Sequence, residues 1–119
     1  RACPAGKSGL PGGTLPAAAD GENEGWTDLY PAFADMAESE GLKDAAASFR
    51  LIAQVEEKHE ARYRKLLDNM EKDLVFSRPA PVKWICRKCG FVHEGPKALK
   101  VCPACQHPRA YQEVYAENF

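Results

Sequence analysis

Two C-x-x-C pairs constrain this chain more than any other feature of its sequence. Cys86 and Cys89 form the first pair, and Cys102 and Cys105 form the second. Two thiolates separated by two residues can bind one ion from a single tight turn, and two such turns complete a tetrahedron of sulfurs. Gly90 allows a positive φ, which lets backbone N–H groups point at the sulfurs. The sequence therefore predicts one tetrahedral metal site made by these four cysteines.

The spacing leaves the identity of the metal open, because an S₄ tetrahedron suits zinc and a single iron alike. A zinc ribbon that only stabilises the fold is one interpretation. Three aromatic residues close to the cysteines favour a dry iron site instead: Trp84, Phe91 and Tyr111. His93 and His107 could in principle be ligands, but four sulfurs already complete the tetrahedron. Gln106 stands where the second turn often has glycine, so the match to the motif is imperfect there.

The other sequence-wide properties exclude several classes of protein. Five cysteines make an odd number, and nothing indicates the secreted context that a disulfide framework needs. The formal net charge of −1 gives no reason to expect nucleic acid or an anionic membrane as a partner. No apolar run approaches the ~20 residues that span a bilayer, and no signal peptide is visible. We expect a reduced, cytoplasmic protein with Cys3 as a free thiol.

Upstream of the cysteines, apolar residues recur with helical spacing in two long segments. The first covers 15–39, where Gly25 and Pro31 can bend the helix locally. Gly41 then provides a break, and the second segment covers 42–71. Together they predict an antiparallel helical hairpin. A single hairpin cannot enclose a core, so it needs two further helices from another copy or another chain.

The composition divides the chain into four stretches. Residues 1–14 read as a tail or a connection between helices, because glycine and proline are dense there. Residues 15–74 form the hairpin, and the prolines of 75–81 predict an extended linker. Residues 82–119 form the cysteine module, whose first strand is expected to start at Val82.

A group of polar residues lies where the hairpin should be apolar. Glu56 and His59 fall on the inward stripe of the second helix as E-x-x-H, whose i,i+3 spacing aims both side chains at one point. Glu22 lies on the inward stripe of the first helix. Inward carboxylates usually coordinate a metal or pair with a cation, so a di-iron site competes with ordinary charge pairing. Glu60 flanks the stripe, and Tyr30 either hydrogen-bonds a ligand carboxylate or is part of the core.

Seven motifs connect these features to a known family. They are P-A-G at Pro4–Gly6, G-E-N-x-x-W-T-D-L-Y-P at Gly21–Pro31, E-G-L-K-D-A-A at Glu40–Ala46, E-E-K-H-E at Glu56–Glu60, V-F at Val75–Phe76, W-I-C-R-K-C-G-F-V-H-E-G at Trp84–Gly95, and V-C-P-A-C-Q-H-P at Val101–Pro108. With these motifs the chain resembles the C-terminal half of rubrerythrins, over nearly its whole length.

The resemblance implies a mainly α protein with a small β part. A ferritin-like hairpin would complete a four-helix bundle in an oligomer, followed by a rubredoxin-like domain. The four cysteines would hold a mononuclear iron, and Glu22, Glu56 and His59 would be ligands of a di-iron centre, with Tyr30 beside them. The family reduces hydrogen peroxide to water with two electrons. Those electrons come from a donor protein and reach the di-iron pair through the one-iron centre.

Two departures from the family bear on this expectation. The family has a second ligand Glu in G-E-N-x-E, where this chain has Gly25. The two preceding helices of the bundle, with two further Glu ligands, are absent from the sequence. Two hairpins in a homodimer would supply four carboxylates and two histidines, and pairing with an N-terminal half is the alternative. Two competing predictions remain. One is a one-electron carrier in which only the four-Cys site is functional, and the other is a structural zinc module.

Overall fold

The computed structural model describes residues 9–119. Residues 1–8, which include Cys3 and most of the expected tail, lie outside the described part. The structure is a long helical hairpin followed by a small antiparallel sheet, so the predicted fold class of mainly α with a small β part is confirmed. Residues up to Asp68 and residues from Asn69 onward form two compact units. No helix within 9–119 is both long and apolar enough to cross a membrane.

The first arm of the hairpin consists of three consecutive helical pieces. They are α1 (Pro11–Glu24), a π-helical segment (Gly25–Leu29) and α2 (Tyr30–Ser39). The second arm is one α-helix, α3 (Lys43–Glu71). With 29 residues, α3 is about 43 Å long at 1.5 Å per residue.

The helix starts earlier than the sequence predicted. Residues 11–14 were expected to belong to a non-helical tail, but α1 begins at Pro11. Proline at the first helical position costs little, because its missing N–H would have no partner there and its φ already suits a helix. Thr14 adds a side-chain hydrogen bond from Oγ1 to the carbonyl oxygen of Leu10, at 3.0 Å. These two features outweigh the low helix propensity of the two glycines between them.

A π-helical segment lies where the sequence predicted a local bend, at Gly25 and just before Pro31. Its defining hydrogen bond runs from the N–H of Tyr30 to the carbonyl oxygen of Gly25. In a regular α-helix the ring of Pro31 would clash with the carbonyl of Thr27, four residues earlier. We attribute the wider turn before Pro31 to this clash, since π turns inside α-helices relieve such conflicts locally.

The two arms are joined by a tight turn at Gly41, as the sequence indicated. Gly41 has φ +79, which a residue with a side chain rarely adopts. Its N–H donates to the carbonyl of Glu38, and the N–H of Leu42 donates to that of Ala37. This pair of bonds is the Schellman arrangement that ends a helix and reverses the chain.

The hairpin does not bury large apolar side chains. Within residues 9–68, the apolar side chains that are fully buried belong to alanines: Ala17, Ala19, Ala34, Ala37 and Ala46. Larger apolar residues stay exposed, among them Leu29, Phe33, Met36, Leu51, Val55 and Leu66. Exposed apolar residues of this kind are typical of surfaces that take part in protein–protein contacts.

The C-terminal unit is built on a three-stranded antiparallel sheet in the order β2-β1-β3. The strands are β1 (Ser77–Cys86), β2 (Val92–Lys97) and β3 (Gln112–Val114). β1 starts before Val82 and takes up most of the stretch expected as a linker. Its register against β2 shifts between Ser77 and Val82, which is where prolines without N–H donors interrupt a regular ladder.

A compact core holds this sheet to the loop that follows β2. The indole of Trp84 is 1% exposed and donates from Nε1 to the carbonyl of Gly95 at 2.9 Å. The buried amide of Gln112 makes a reciprocal pair with the backbone of Leu99, each bond 2.8 Å long. These contacts fix the end of β1, where the first C-x-x-C pair begins.

Candidate metal centres

The first cysteine pair lies on a turn that continues β1. The N–H of Cys86 donates to the carbonyl of Phe91 at 2.9 Å, and the N–H of Gly90 donates back to the carbonyl of Cys86 at 2.8 Å. Gly90 has φ +85, so the turn uses the conformation that the sequence predicted for it. The backbone of the turn is thereby closed around the sulfurs of Cys86 and Cys89.

The second pair repeats the same turn. The N–H of Cys102 donates to the carbonyl of His107, and the N–H of Gln106 donates to the carbonyl of Cys102, both at 2.9 Å. Gln106 adopts φ +64. A residue with a side chain thus takes the left-handed conformation that glycine takes in the first turn, at a local cost of about 1–2 kcal/mol.

The two turns bring all four sulfurs together. The four Sγ atoms lie within 4.8 Å of one another, with Cys86 and Cys105 at 3.7 Å and Cys89 and Cys102 at 3.6 Å. A disulfide would need about 2.05 Å, whereas a tetrahedron with metal–sulfur bonds of about 2.3 Å has edges close to the observed values. The four cysteines therefore have the geometry of a thiolate metal site.

The pKa values of the thiols differ widely within this cluster. The pKa of Cys86 is lowered to about 7, chiefly by a hydrogen bond from the backbone N–H of Cys89. The pKa of Cys105 is raised to about 12: the backbone N–H of His107 lowers it, but burial and the neighbouring sulfurs raise it more. Burial and the crowded sulfurs thus oppose the ionisation of Cys105, and a metal ion bound among the four sulfurs would compensate the negative charge.

His107 touches this site without adding a fifth ligand. Its Nδ1 lies 3.3 Å from Sγ of Cys105 and 3.2 Å from the carbonyl oxygen of the same residue. Its ring also packs edge-on against Tyr111, with the centroids 4.7 Å apart. The imidazole is therefore placed to donate a hydrogen bond to a ligand sulfur, and such bonds tune the potential of iron–thiolate centres.

The hairpin brings together the three residues predicted as di-iron ligands. Nδ1 of His59 lies 3.4 Å from Oε2 of Glu56 on α3 and 3.7 Å from Oε1 of Glu22 on α1. Both carboxylates are about one-fifth exposed, and the imidazole is about half exposed. One ligand atom from each residue falls within 4.8 Å of the others, a spacing that a single ion can bridge.

The buried carboxylate of Glu60 connects these helices by hydrogen bonds. The sequence placed Glu60 only beside the inward stripe. Oε1 of Glu60 accepts hydrogen bonds from Nδ2 of Asn23 at 3.0 Å and from Nε1 of Trp26 at 2.7 Å. Its other oxygen accepts from Nε of Arg64 at 2.6 Å. Only the i,i+4 spacing of Glu60 and Arg64 was visible in the sequence. The bonds to α1 and the π segment depend on how the helices pack.

The chemistry of this network keeps Glu60 ionised. Hydrogen bonds lower the pKa of its carboxyl group, chiefly the one from Trp26, and they outweigh the effect of burial. The guanidinium of Arg64 adds to the lowering through its hydrogen bond and its charge. Asn23 directly follows Glu22, and Glu60 directly follows His59. The network therefore cross-links the two helices at the positions next to the predicted ligands.

Tyr30 and Gly25 border the carboxylate cluster. The ring of Tyr30 packs with Phe33 and Phe49, at centroid distances of 5.9 and 6.1 Å. A Cβ at the buried Gly25 would lie 3.7 Å from Cγ of Glu56 and 3.8 Å from the Tyr30 ring, both ordinary contacts. A side chain at position 25 would therefore enter the space between Glu56 and Tyr30.

The two donor sets suit different metal chemistry. Four thiolates fit zinc or a single iron, and carboxylates with one imidazole fit a non-haem iron. The hairpin supplies two carboxylates and one histidine. This is half of the set that ferritin-like di-iron proteins use, in which two helices each give a Glu and two give a Glu-x-x-His motif.

Family models match both parts of the chain. The model described as "Rubrerythrin" matches residues 11–80, and the one described as "Rubrerythrin, rubredoxin-like domain" matches residues 84–113. The first covers the helical hairpin, and the second covers the four cysteines.

Curated relatives agree with the family models. The chain is 58% identical over 105 residues to Rubrerythrin-1 of Clostridium acetobutylicum, covering 88% of this chain and 54% of the relative. It is 54% identical over 116 residues to the rubrerythrin of Porphyromonas gingivalis, covering 98% of this chain and 58% of the relative. The chain thus spans about half the length of the curated relatives it matches.

Solved structures of nigerythrin share the fold. One is described as its partially reduced state and another as its fully reduced, all-ferrous state. Each aligns with a TM-score of 0.53 at 26% identity, covering 97% of this chain and 53% of the nigerythrin chain.

Proposed function

The chain belongs to the rubrerythrin family, and on that premise we propose that it reduces hydrogen peroxide at a di-iron site fed by a four-Cys iron centre. The observation that carries the proposal is the cluster of Glu22, Glu56 and His59, contributed by two helices and containing an E-x-x-H motif. Charge pairing alone does not require two carboxylates and an imidazole to converge within 4.8 Å. The reaction consumes two electrons and two protons and yields two water molecules.

Iron is the metal proposed for both sites. Iron bound there would supply the one-electron redox steps that zinc cannot, and a solved relative is described as all-ferrous. The protein's own contribution is to hold the ligands. The backbone turns fix the four sulfurs, and the Glu60 network fixes α1 against α3. The thiolates need a reducing compartment, so a cytoplasmic location is part of the proposal.

A second copy of the chain is proposed to complete the di-iron site. Two hairpins related by a two-fold axis would supply four carboxylates and two histidines, which equals the ligand set of ferritin-like centres. The apolar side chains that the hairpin leaves exposed, such as Leu51 and Val55, favour such an association. Pairing with a separate N-terminal half is the alternative.

A one-electron carrier is the second candidate function. The hairpin alone provides half of a di-iron ligand set, and Gly25 replaces a ligand that the family has. In that case the helices would serve only for association, and the four-Cys centre would be the working part.

Anaerobic oxidation by peroxide separates the two candidates. The iron-loaded protein is fully reduced and mixed with hydrogen peroxide, and the visible absorbance of the four-Cys centre is followed in time. The proposal expects rapid oxidation that is slowed at least tenfold in Glu56→Ala and His59→Ala. Glu57→Ala, on the exposed side of the same helix, serves as the control and should behave as the unaltered protein. Equal rates in all four proteins would leave only the carrier function.

A further inference from the structure

The first cysteine turn places two cations beside a ligand cysteine at the surface. Arg87 and Lys88 stand between Cys86 and Cys89, and these two cations and Cys89 are exposed. Cys86 and Cys102 are 2% and 1% exposed. Because electron transfer weakens steeply with distance, the most exposed of the four cysteines offers the shortest route into the centre. That residue is Cys89.

Aromatic residues continue the surface around this cysteine. Phe91 and Tyr111 are each 39% exposed. The N–H of Arg87 donates to the carbonyl of Tyr111 at 2.7 Å, and its Nη2 donates to the carbonyl of Ala110 at 2.7 Å. We call Arg87, Lys88, Cys89, Phe91 and Tyr111 the Cys89 face. Aromatic residues and arginine are enriched in protein interfaces.

The charge of the C-terminal unit differs from that of the hairpin. Residues 69–119 have eight lysines and arginines against five aspartates and glutamates, whereas residues 1–68 have eight against twelve. Between Arg87 and Gln112 the chain has five cations and one acid, Glu94. Glu94 lies opposite Lys83 in the sheet. Four thiolates with one divalent ion would carry a charge of about −2. The five cations outweigh this charge and that of Glu94 together, so the Cys89 face lies in a locally positive part of the molecule.

We propose that the Cys89 face docks an acidic one-electron donor protein, an inference that rests on the proposed function. Opposite charges would steer the donor to the exposed Cys89 and raise the rate of productive encounters. Each encounter moves one electron: the donor is oxidised by one unit, and the four-Cys centre is reduced by one unit. Two encounters supply the two electrons that one peroxide consumes.

A paramagnetic anion maps the face without any redox reaction. The zinc-loaded full chain, labelled with ¹⁵N, is titrated with hexacyanochromate(III), a redox-inert trianion that broadens nearby amide signals. Broadening is expected first at the amides of residues 87–91 and 111, and Lys88→Glu should remove most of it. Lys97→Glu changes the net charge equally, but it lies about 16 Å along β2 from Val92, beyond one Debye length at physiological salt. It should leave the pattern intact.

The rate of electron transfer to an anionic oxidant tests the same face in the iron-loaded protein. Oxidation of the reduced iron-loaded protein by hexacyanoferrate(III), also a trianion, is followed by stopped flow from low to high salt. The proposal expects the rate to fall as salt rises, and Lys88→Glu to slow it about tenfold at low salt, unlike Lys97→Glu. A rate that is insensitive to Lys88→Glu would overturn the docking face while leaving the peroxidase proposal standing.

Two further outcomes are informative. Broadening centred on another part of the chain would overturn the proposal. So would an absence of broadening at the wild-type Cys89 face, which is the result expected if the acidic hairpin of a second copy covers that face. A protein that takes up zinc but never iron would instead defeat the proposed function, and the anion map would still report where the positive face lies.

Discussion

Trp26 donates a 2.7 Å hydrogen bond from Nε1 to Oε1 of Glu60, and this bond joins the first arm of the hairpin to α3. Trp26 lies four residues after Glu22, and Glu60 directly follows His59. The bond therefore spans the two helices within about one turn of the residues that the proposal assigns to iron. A buried carboxylate with three side-chain donors is a rigid cross-link. We therefore expect this bond to hold Glu22 at a fixed distance from Glu56 and His59.

Removing the cross-link should loosen the ligand cluster. Glu60→Ala would leave the indole N–H, the amide of Asn23 and the guanidinium of Arg64 without their shared acceptor, at a cost of about 2–3 kcal/mol. Iron binding to the hairpin should weaken as well, since the helices would no longer be held at a fixed distance. Urea unfolding and iron titration would measure both effects. Glu57→Ala is the exposed control, and an equal loss in both variants would contradict a role for the cross-link.

The same carboxylate predicts a specific pH dependence. The pKa of Glu60 is lowered in the folded protein, mainly by the hydrogen bond from Trp26. The folded state then binds fewer protons at this site than the unfolded state, so the stability it contributes is complete above the unfolded value of about 4.3 and is lost as the pH falls through the lowered folded pKa. The difference in unfolding free energy between wild type and Glu60→Gln should be constant from pH 7 to about 5.5 and shrink at lower pH. A difference that does not change between pH 6 and 3 would contradict this assignment.

The first cysteine turn favours glycine, whereas α1 does not. Gly90 has φ +85, so Gly90→Ala should destabilise the turn by about 1–2 kcal/mol. Gly21 lies within α1, and a Cβ there would meet nothing within 4 Å. Gly21→Ala should therefore stabilise the helix by up to about 1 kcal/mol. Thermal unfolding of the two variants should shift in opposite directions, and a shift of the same sign in both would contradict the backbone argument.

A substitution at position 25 tests the ligand cluster, because the change in protein stability that it causes should have opposite signs with and without iron. Gly25→Glu has room for its Cβ beside Glu56 and Tyr30. Without metal, a third carboxylate beside Glu22 and Glu56 should destabilise the protein by about 1–4 kcal/mol. With iron bound, the added carboxylate should become a ligand and the effect should reverse.

Gly25→Gln is the matched control for that test, because it has the same size without the charge. Its effect on stability should be nearly the same with and without iron. If Gly25→Glu were as destabilising with iron as without it, the metal would not be bound between Glu22 and Glu56.

Features fixed by local spacing could be predicted from the sequence. Two residues between cysteines leave few backbone turns that aim both sulfurs at one point, and the i,i+3 spacing of Glu56 and His59 puts both on one side of a helix. The Gly41 turn was likewise visible, since a reversal between two helices needs a residue that tolerates positive φ.

Features that depend on distant partners could not be predicted. Glu60 looks like any other helical carboxylate until the helices pack and bring Trp26 to it. The start of β1 at Ser77 depends on pairing with Lys97, twenty residues away. Gln106 takes a left-handed conformation because the metal turn imposes it, against the preference of the residue.

The iron content of the protein at a known oligomeric state shows whether two copies share a di-iron site. The protein would be loaded with iron and examined by sedimentation equilibrium, with iron quantified in the same sample. We expect a homodimer with about four irons, two in the four-Cys sites and one pair shared by Glu22, Glu56 and His59 of both copies. A monomer that holds two irons in its helical part would contradict this expectation, as would a dimer with iron only at its cysteines.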